Sequence, residues 1–62
     1  MPYIEASFFE ERFAEKQFSI DMVAELTKAV SAVLGETIGA DTTVVLHSVP
    51  RERWGHGGVT MG

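Results

Sequence analysis

Cysteine is absent from the 62 residues, so no disulfide can staple this fold. Histidine is almost as scarce. His47 and His56 stand nine positions apart with no thiolate to complete a shell, and no metal site is expected. Cations are few: 5 Lys and Arg face 9 Asp and Glu for a net charge of -4. They form no stripe able to neutralise successive phosphates, which argues against a nucleic-acid partner. No apolar run approaches the roughly 20 residues that a membrane-spanning helix requires. No charged leader followed by an apolar stretch marks export, so a soluble cytoplasmic protein is the expectation.

What is present is a 45% hydrophobic chain of a size that makes one domain, residues 1–62. That hydrophobic content excludes disorder. A domain of roughly 60 residues buries only about 60% of the surface that its unfolded chain exposes, and the usual supports are a disulfide, a metal or partner subunits. With the first two set aside, oligomerisation is the expected support.

Pro2 to Phe9 alternates, with Ile4, Ala6 and Phe8 on one side and Glu5 and Ser7 on the other, the period of a strand. Pro2 can open that strand because the first residue needs no N–H donor. Glu10 to Gln17 is charged, has no clean period and reads as a connection whose end can already be turning into helix. From Ser19 onward Met22, Val23, Leu26, Ala29, Val30, Val33 and Leu34 recur at helical spacing. Ser19 is the expected N-cap, Asp21 suits the positive end of the helix, and Gly35 is placed to end it.

Glu36 to Asp41, with Gly39, reads as a loop. Thr42 to Val49 is β-branched and closes at Pro50, a second strand. Strand, helix and strand make a single βαβ unit of the α/β class, with parallel strands and a right-handed crossover. Four glycines among the last eight residues predict a tight turn or short C-terminal hairpin. Parallel strands are normally covered on both faces, so one such unit is incomplete alone, and function is expected at subunit junctions.

Chemistry-bearing side chains are sparse. A triad of Ser48, His47 and Asp41 fails because adjacent strand residues point to opposite faces. Pro2 stands out instead. If Met1 is removed, Pro2 becomes a free secondary amine. An α-amino group titrates at roughly pH 7.7–8.0, and burial or a nearby cation lowers that further, which suits a general base. The plain alternative is that Pro2 only starts a strand.

Pro2 opening a short strand, Arg12 just after it, an amphipathic helix, a β-branched strand and then Arg53-Trp54-Gly55-His56-Gly57-Gly58 follow in order. In this the chain resembles the 4-oxalocrotonate tautomerase family over essentially its whole length. The resemblance implies a tautomerase-like fold assembling into a hexamer, a trimer of dimers. It implies an isomerase that interconverts enol and keto forms of a small unsaturated 2-hydroxy or 2-oxo acid resembling 2-hydroxymuconate, with no cofactor, in aromatic compound catabolism.

By the same resemblance Pro2 is the catalytic base and Arg12 binds the substrate carboxylate, for which a planar guanidinium is suited. Trp54 takes the place of the family's usual phenylalanine as pocket wall, unless it only packs an interface. The family's second arginine, supplied by a neighbouring subunit, has Thr43 in its place. A neutral hydroxyl gives a weaker bond than a charge-assisted one. Arg51 or Arg53 is a candidate substitute, the bland reading of each being a solvated loop charge. The segment from Arg12 to the helix is about two residues longer than the family pattern, with one more residue near Gly39. Two alternatives follow: one subunit of a hetero-oligomeric tautomerase, or a non-catalytic oligomeric binding module of the same fold.

Overall fold

A computed structural model describes residues 1–62. Strand β1 (Tyr3–Phe9) leads into a 3₁₀ turn at Glu10–Ala14, helix α1 (Lys16–Leu34) and a one-turn helix α2 (Glu36–Ala40). Strand β2 (Thr43–Val49) is followed by a second 3₁₀ turn at Arg51–Arg53 and by the two-residue strands β3 (Gly55–His56) and β4 (Val59–Thr60). β1 and β2 pair in parallel from Tyr3 opposite Thr43 to Phe9 opposite Val49. The βαβ unit with a short C-terminal hairpin is therefore the architecture, as the periodicity predicted.

The alternation in β1 is expressed directly: Ile4, Ala6 and Phe8 are half-buried while Tyr3, Glu5 and Ser7 are exposed. α1 lays Met22, Leu26 and Val30 toward the sheet, while Val33 and Leu34 stay 81% and 53% exposed. β3 and β4 pair as His56 opposite Val59 around Gly57 and Gly58, whose φ of 62° and 84° require glycine at both corners of so tight a turn. No helix is long and apolar enough to cross a membrane.

Three local expectations need correction. The helix begins at Lys16, and Ser19 lies inside its first turns rather than capping it. Packing explains the earlier start. Phe18 sits edge-on against Phe8 and Phe13, with ring centroids 5.2 and 5.1 Å away, which draws the preceding turn into the helix.

The stretch from Glu36 to Asp41 is not a loop but helix α2, closed by Gly39 N–H donating to the Gly35 carbonyl at 3.0 Å. Gly39, the one buried residue, is pressed against Ser31, where a side chain would strike the Ser31 hydroxyl and lie 3.0 Å from its Cα. Thr42 lies in the turn between α2 and β2 rather than in β2, its hydroxyl donating to the Ile38 carbonyl at 3.1 Å.

The molecule is a thin plate of 41 × 26 × 15 Å with no buried hydrophobic side chain. Its radius of gyration is 14.0 Å, against about 10.6 Å for a compact chain of this length. It exposes 4607 Å², where a monomer of 6.8 kDa exposes about 3,950 Å².

Candidate active site

The parallel sheet has two ends, and they divide the six candidate residues. At the starting end of the strands stands Pro2, half-buried, its carbonyl accepting the Thr43 N–H at 2.9 Å. That bond pins Pro2 and Thr43 together. Beside them a groove of about 340 Å³ opens between β1 and α1, lined by Pro2, Ile4, Leu26, Val30, Val33 and Leu34. No charged side chain lines it.

At the far end lie Arg12, Arg51, Arg53 and Trp54, on the two 3₁₀ turns and the residue after the second. A seven-residue strand separates the two groups, about 23 Å at roughly 3.3 Å per residue. Pro2 and Arg12 of one chain therefore do not meet. Both can border one substrate only when different copies supply them.

The three arginines differ in what they touch. Arg51 is committed: its Nη2 lies 2.7 Å from Glu11 Oε2, and its Nε donates to both Glu11 oxygens, at 2.8 and 3.1 Å. The same guanidinium lies 4.0 Å over the Phe9 ring, and Phe9 packs on Trp54 with centroids 4.6 Å apart. Arg51, half exposed, thus spends its guanidinium on Glu11 and Phe9 within its own chain.

Hydrogen bonding from Arg51, more than its charge, holds the Glu11 carboxyl below its ordinary value, and the bond to Glu11 raises Arg51 in turn. Lys28 and Arg51 are ion-paired with Glu25 and Glu11, whereas Arg12 and Arg53 are exposed and have no carboxylate partner. Glu11 pairs with Arg51 rather than with its neighbour Arg12. Nothing local in the sequence marks a pair 40 residues apart.

A third cluster occupies the open face of the sheet. The Tyr3 hydroxyl donates to Glu5 Oε1 at 3.0 Å, and His47 Nε2 lies 3.3 Å from the same oxygen. Hydrogen bonding to His47, then to Tyr3, lowers the Glu5 carboxyl, and the bond to Glu5 raises the Tyr3 phenol. The strand alternation already implied this face, because Tyr3 and Glu5 share a parity; the register that brings His47 to it did not show in the sequence.

Residues 2–62 match the family of tautomerase enzymes. Among solved structures the chain resembles DmpI from Helicobacter pylori, with a TM-score of 0.84 at 18% identity over 97% of this chain and 90% of that one. It also resembles a 4-oxalocrotonate tautomerase isozyme from Methylibium petroleiphilum, with a TM-score of 0.76 at 28% identity over 97% and 92%. No curated protein sequence matches.

Proposed function

The chain belongs to the tautomerase family, and we propose that it interconverts enol and keto forms of a small unsaturated 2-hydroxy or 2-oxo acid, the class that includes 2-hydroxymuconate. Pro2 is the general base in this reading, acting once Met1 is removed. The observation that carries it is the position of Pro2 at the mouth of an aliphatic groove. Aliphatic surroundings disfavour an ammonium ion, so the freed pyrrolidine nitrogen would be neutral at physiological pH and able to accept a proton.

The pyrrolidine nitrogen takes the proton of the enol hydroxyl as the oxygen closes to a carbonyl. The carbon–carbon double bond shifts, and the distal carbon of the conjugated enol takes the proton back from the pyrrolidinium, restoring the base. Arg12 from another copy holds the carboxylate in two parallel hydrogen bonds. Trp54 beside it keeps water from the reacting atoms. Since one chain separates Pro2 from Arg12, the site belongs to an oligomer, and a hexamer is the assembly we propose.

General-base catalysis contributes roughly 10²–10⁴-fold, so Pro2→Ala should lower kcat for enol ketonisation by at least about 100-fold. Unchanged turnover removes the mechanism. Intact mass adds an independent check: a retained Met1 blocks the amine and leaves a binding module of the same fold.

Thr43 favours a second reading. It stands in the sequence where the resembled family has an arginine that serves a neighbouring subunit's site, and in its own chain only its backbone N–H bonds Pro2. This chain would then be one partner of a hetero-oligomer. Full activity of the purified chain alone argues for the homo-oligomer; activity only after mixing with a second short family member argues for the pair.

A further inference from the structure

Trp54 follows the turn Arg51–Arg53, and its backbone is held on both sides. Its N–H donates to the Arg51 carbonyl at 3.1 Å, and its carbonyl accepts the Met61 N–H at 2.8 Å. Those bonds fix where the side chain leaves the backbone but not how the indole turns about its two side-chain torsions. The orientation is set by Phe9, against which the indole packs at a centroid distance of 4.6 Å and an interplanar angle of 49°. Phe9 in turn carries the Arg51 guanidinium, 4.0 Å from the ring centre, and Glu11 binds both Nε and Nη2 of that guanidinium. Carboxylate, guanidinium, phenyl and indole thus follow one another within a single chain, a series that needs no second copy to form.

We infer that Glu11 and Arg51 are positioning residues: they hold the Trp54 indole at one angle and tie the turn that precedes it to the turn that bears Arg12. This rests on the reading of Arg12 as carboxylate anchor and of Trp54 as the wall that excludes water. Glu11 and Arg12 are neighbours on the Glu10–Ala14 turn, and Arg51 opens the turn that leads to Trp54. The Glu11–Arg51 pair therefore sets the spacing between anchor and wall, which lie 42 positions apart in the chain.

The geometry of the pair is suited to orientation. A half-exposed ion pair contributes modestly to stability, but a planar fork that meets both oxygens of one carboxylate, at 2.8 and 3.1 Å from Nε and 2.7 Å from Nη2, fixes the plane of the guanidinium. A lysine ammonium in that place would keep the charge and lose the plane. Once the guanidinium is free to turn, Phe9 loses its cover and the indole loses its fixed neighbour. A wall that swings admits water to the reacting atoms and slows the proton transfer, while Arg12 still holds the carboxylate.

Trp54 is the chain's single tryptophan, so its fluorescence reads this wall and nothing else. Arg51→Lys and Glu11→Gln, which both keep the bulk of the side chain, are compared with wild type on the intact, Met1-processed oligomer. The measurements are acrylamide quenching of Trp54, and kcat and KM for ketonisation of 2-hydroxymuconate and phenylenolpyruvate. Each variant should raise the quenching constant by about twofold or more and lower kcat by about tenfold, with KM within about threefold of wild type. Wild-type quenching and kcat in Arg51→Lys overturn the inference, because charge alone then suffices. A rise in KM of about tenfold with Trp54 undisturbed also overturns it, since Arg51 then touches the substrate itself. In both cases an active wild type leaves the tautomerase reading standing. Turnover of neither enol by the wild type overturns that reading and this role together.

Discussion

Arg12 and Arg51 are chemically identical side chains on neighbouring turns, and their surroundings assign them different work. Arg12 has no partner in its own chain, so its fork of donors is free for a carboxylate. A hydrogen bond to a charged group contributes about 1.5–3 kcal/mol, so Arg12→Ala should cut kcat/KM by roughly 10- to 100-fold, mostly through KM. Steady-state kinetics with the preferred enol acid measures it. Arg51 is closed off by Glu11 and stacked on Phe9, so Arg51→Ala should leave KM closer to wild type and act on stability.

The pH dependence of that pair has a definite sign. The folded Glu11 carboxyl is held below its ordinary value of 4.5, first by hydrogen bonding from Arg51. Its contribution to stability is therefore fully present above that ordinary value and is lost as pH falls through the lowered folded value. Both side chains are about half exposed, so salt should screen the effect. Thermal melts of wild type and Glu11→Gln should converge as the pH drops below 4.5 and should differ less at high ionic strength.

At the scale of elements, legibility followed how local the determinants are. Both strands could be read because Ile4, Ala6 and Phe8 alternate with polar residues and Thr43 to Val49 is β-branched, patterns carried by neighbouring residues. The hairpin could be read from Gly57 and Gly58 for the same reason. The helix start could not, because what brings it forward is Phe18 packing on Phe8 ten positions earlier in the chain.

Helix α2 was illegible in the same way. It exists because Gly39 lets the segment press on Ser31, a contact that no local pattern announces. Gly39→Ala should thus force the two helices apart and cost about 1–3 kcal/mol, the usual range for overpacking. Chemical denaturation measures the loss. Adding Ser31→Gly should recover part of it although a mid-helix glycine itself costs about 1 kcal/mol, and the double-mutant cycle isolates the coupling.

For the whole molecule, the shortage of core and the division of the site have one cause. A plate 15 Å thick with Tyr3, Ile20, Val59 and Met61 exposed cannot enclose anything, and the strand that separates Pro2 from Arg12 cannot be folded back on itself. Residue types and order marked Pro2 and Arg12 as candidates, and the length of β1, which runs between them, puts them at opposite ends of the sheet. On the proposed function the site lies between copies, Pro2 from one against Arg12 from another, and this makes inactive variants complement one another. Chains carrying Pro2→Ala keep Arg12, and chains carrying Arg12→Ala keep Pro2. When the two are unfolded together and refolded in equal amounts, about a quarter of the sites should draw both intact residues, with activity near that fraction of wild type. If Pro2 and Arg12 of the same chain formed each site, the mixture would show no more than the average of its two parents.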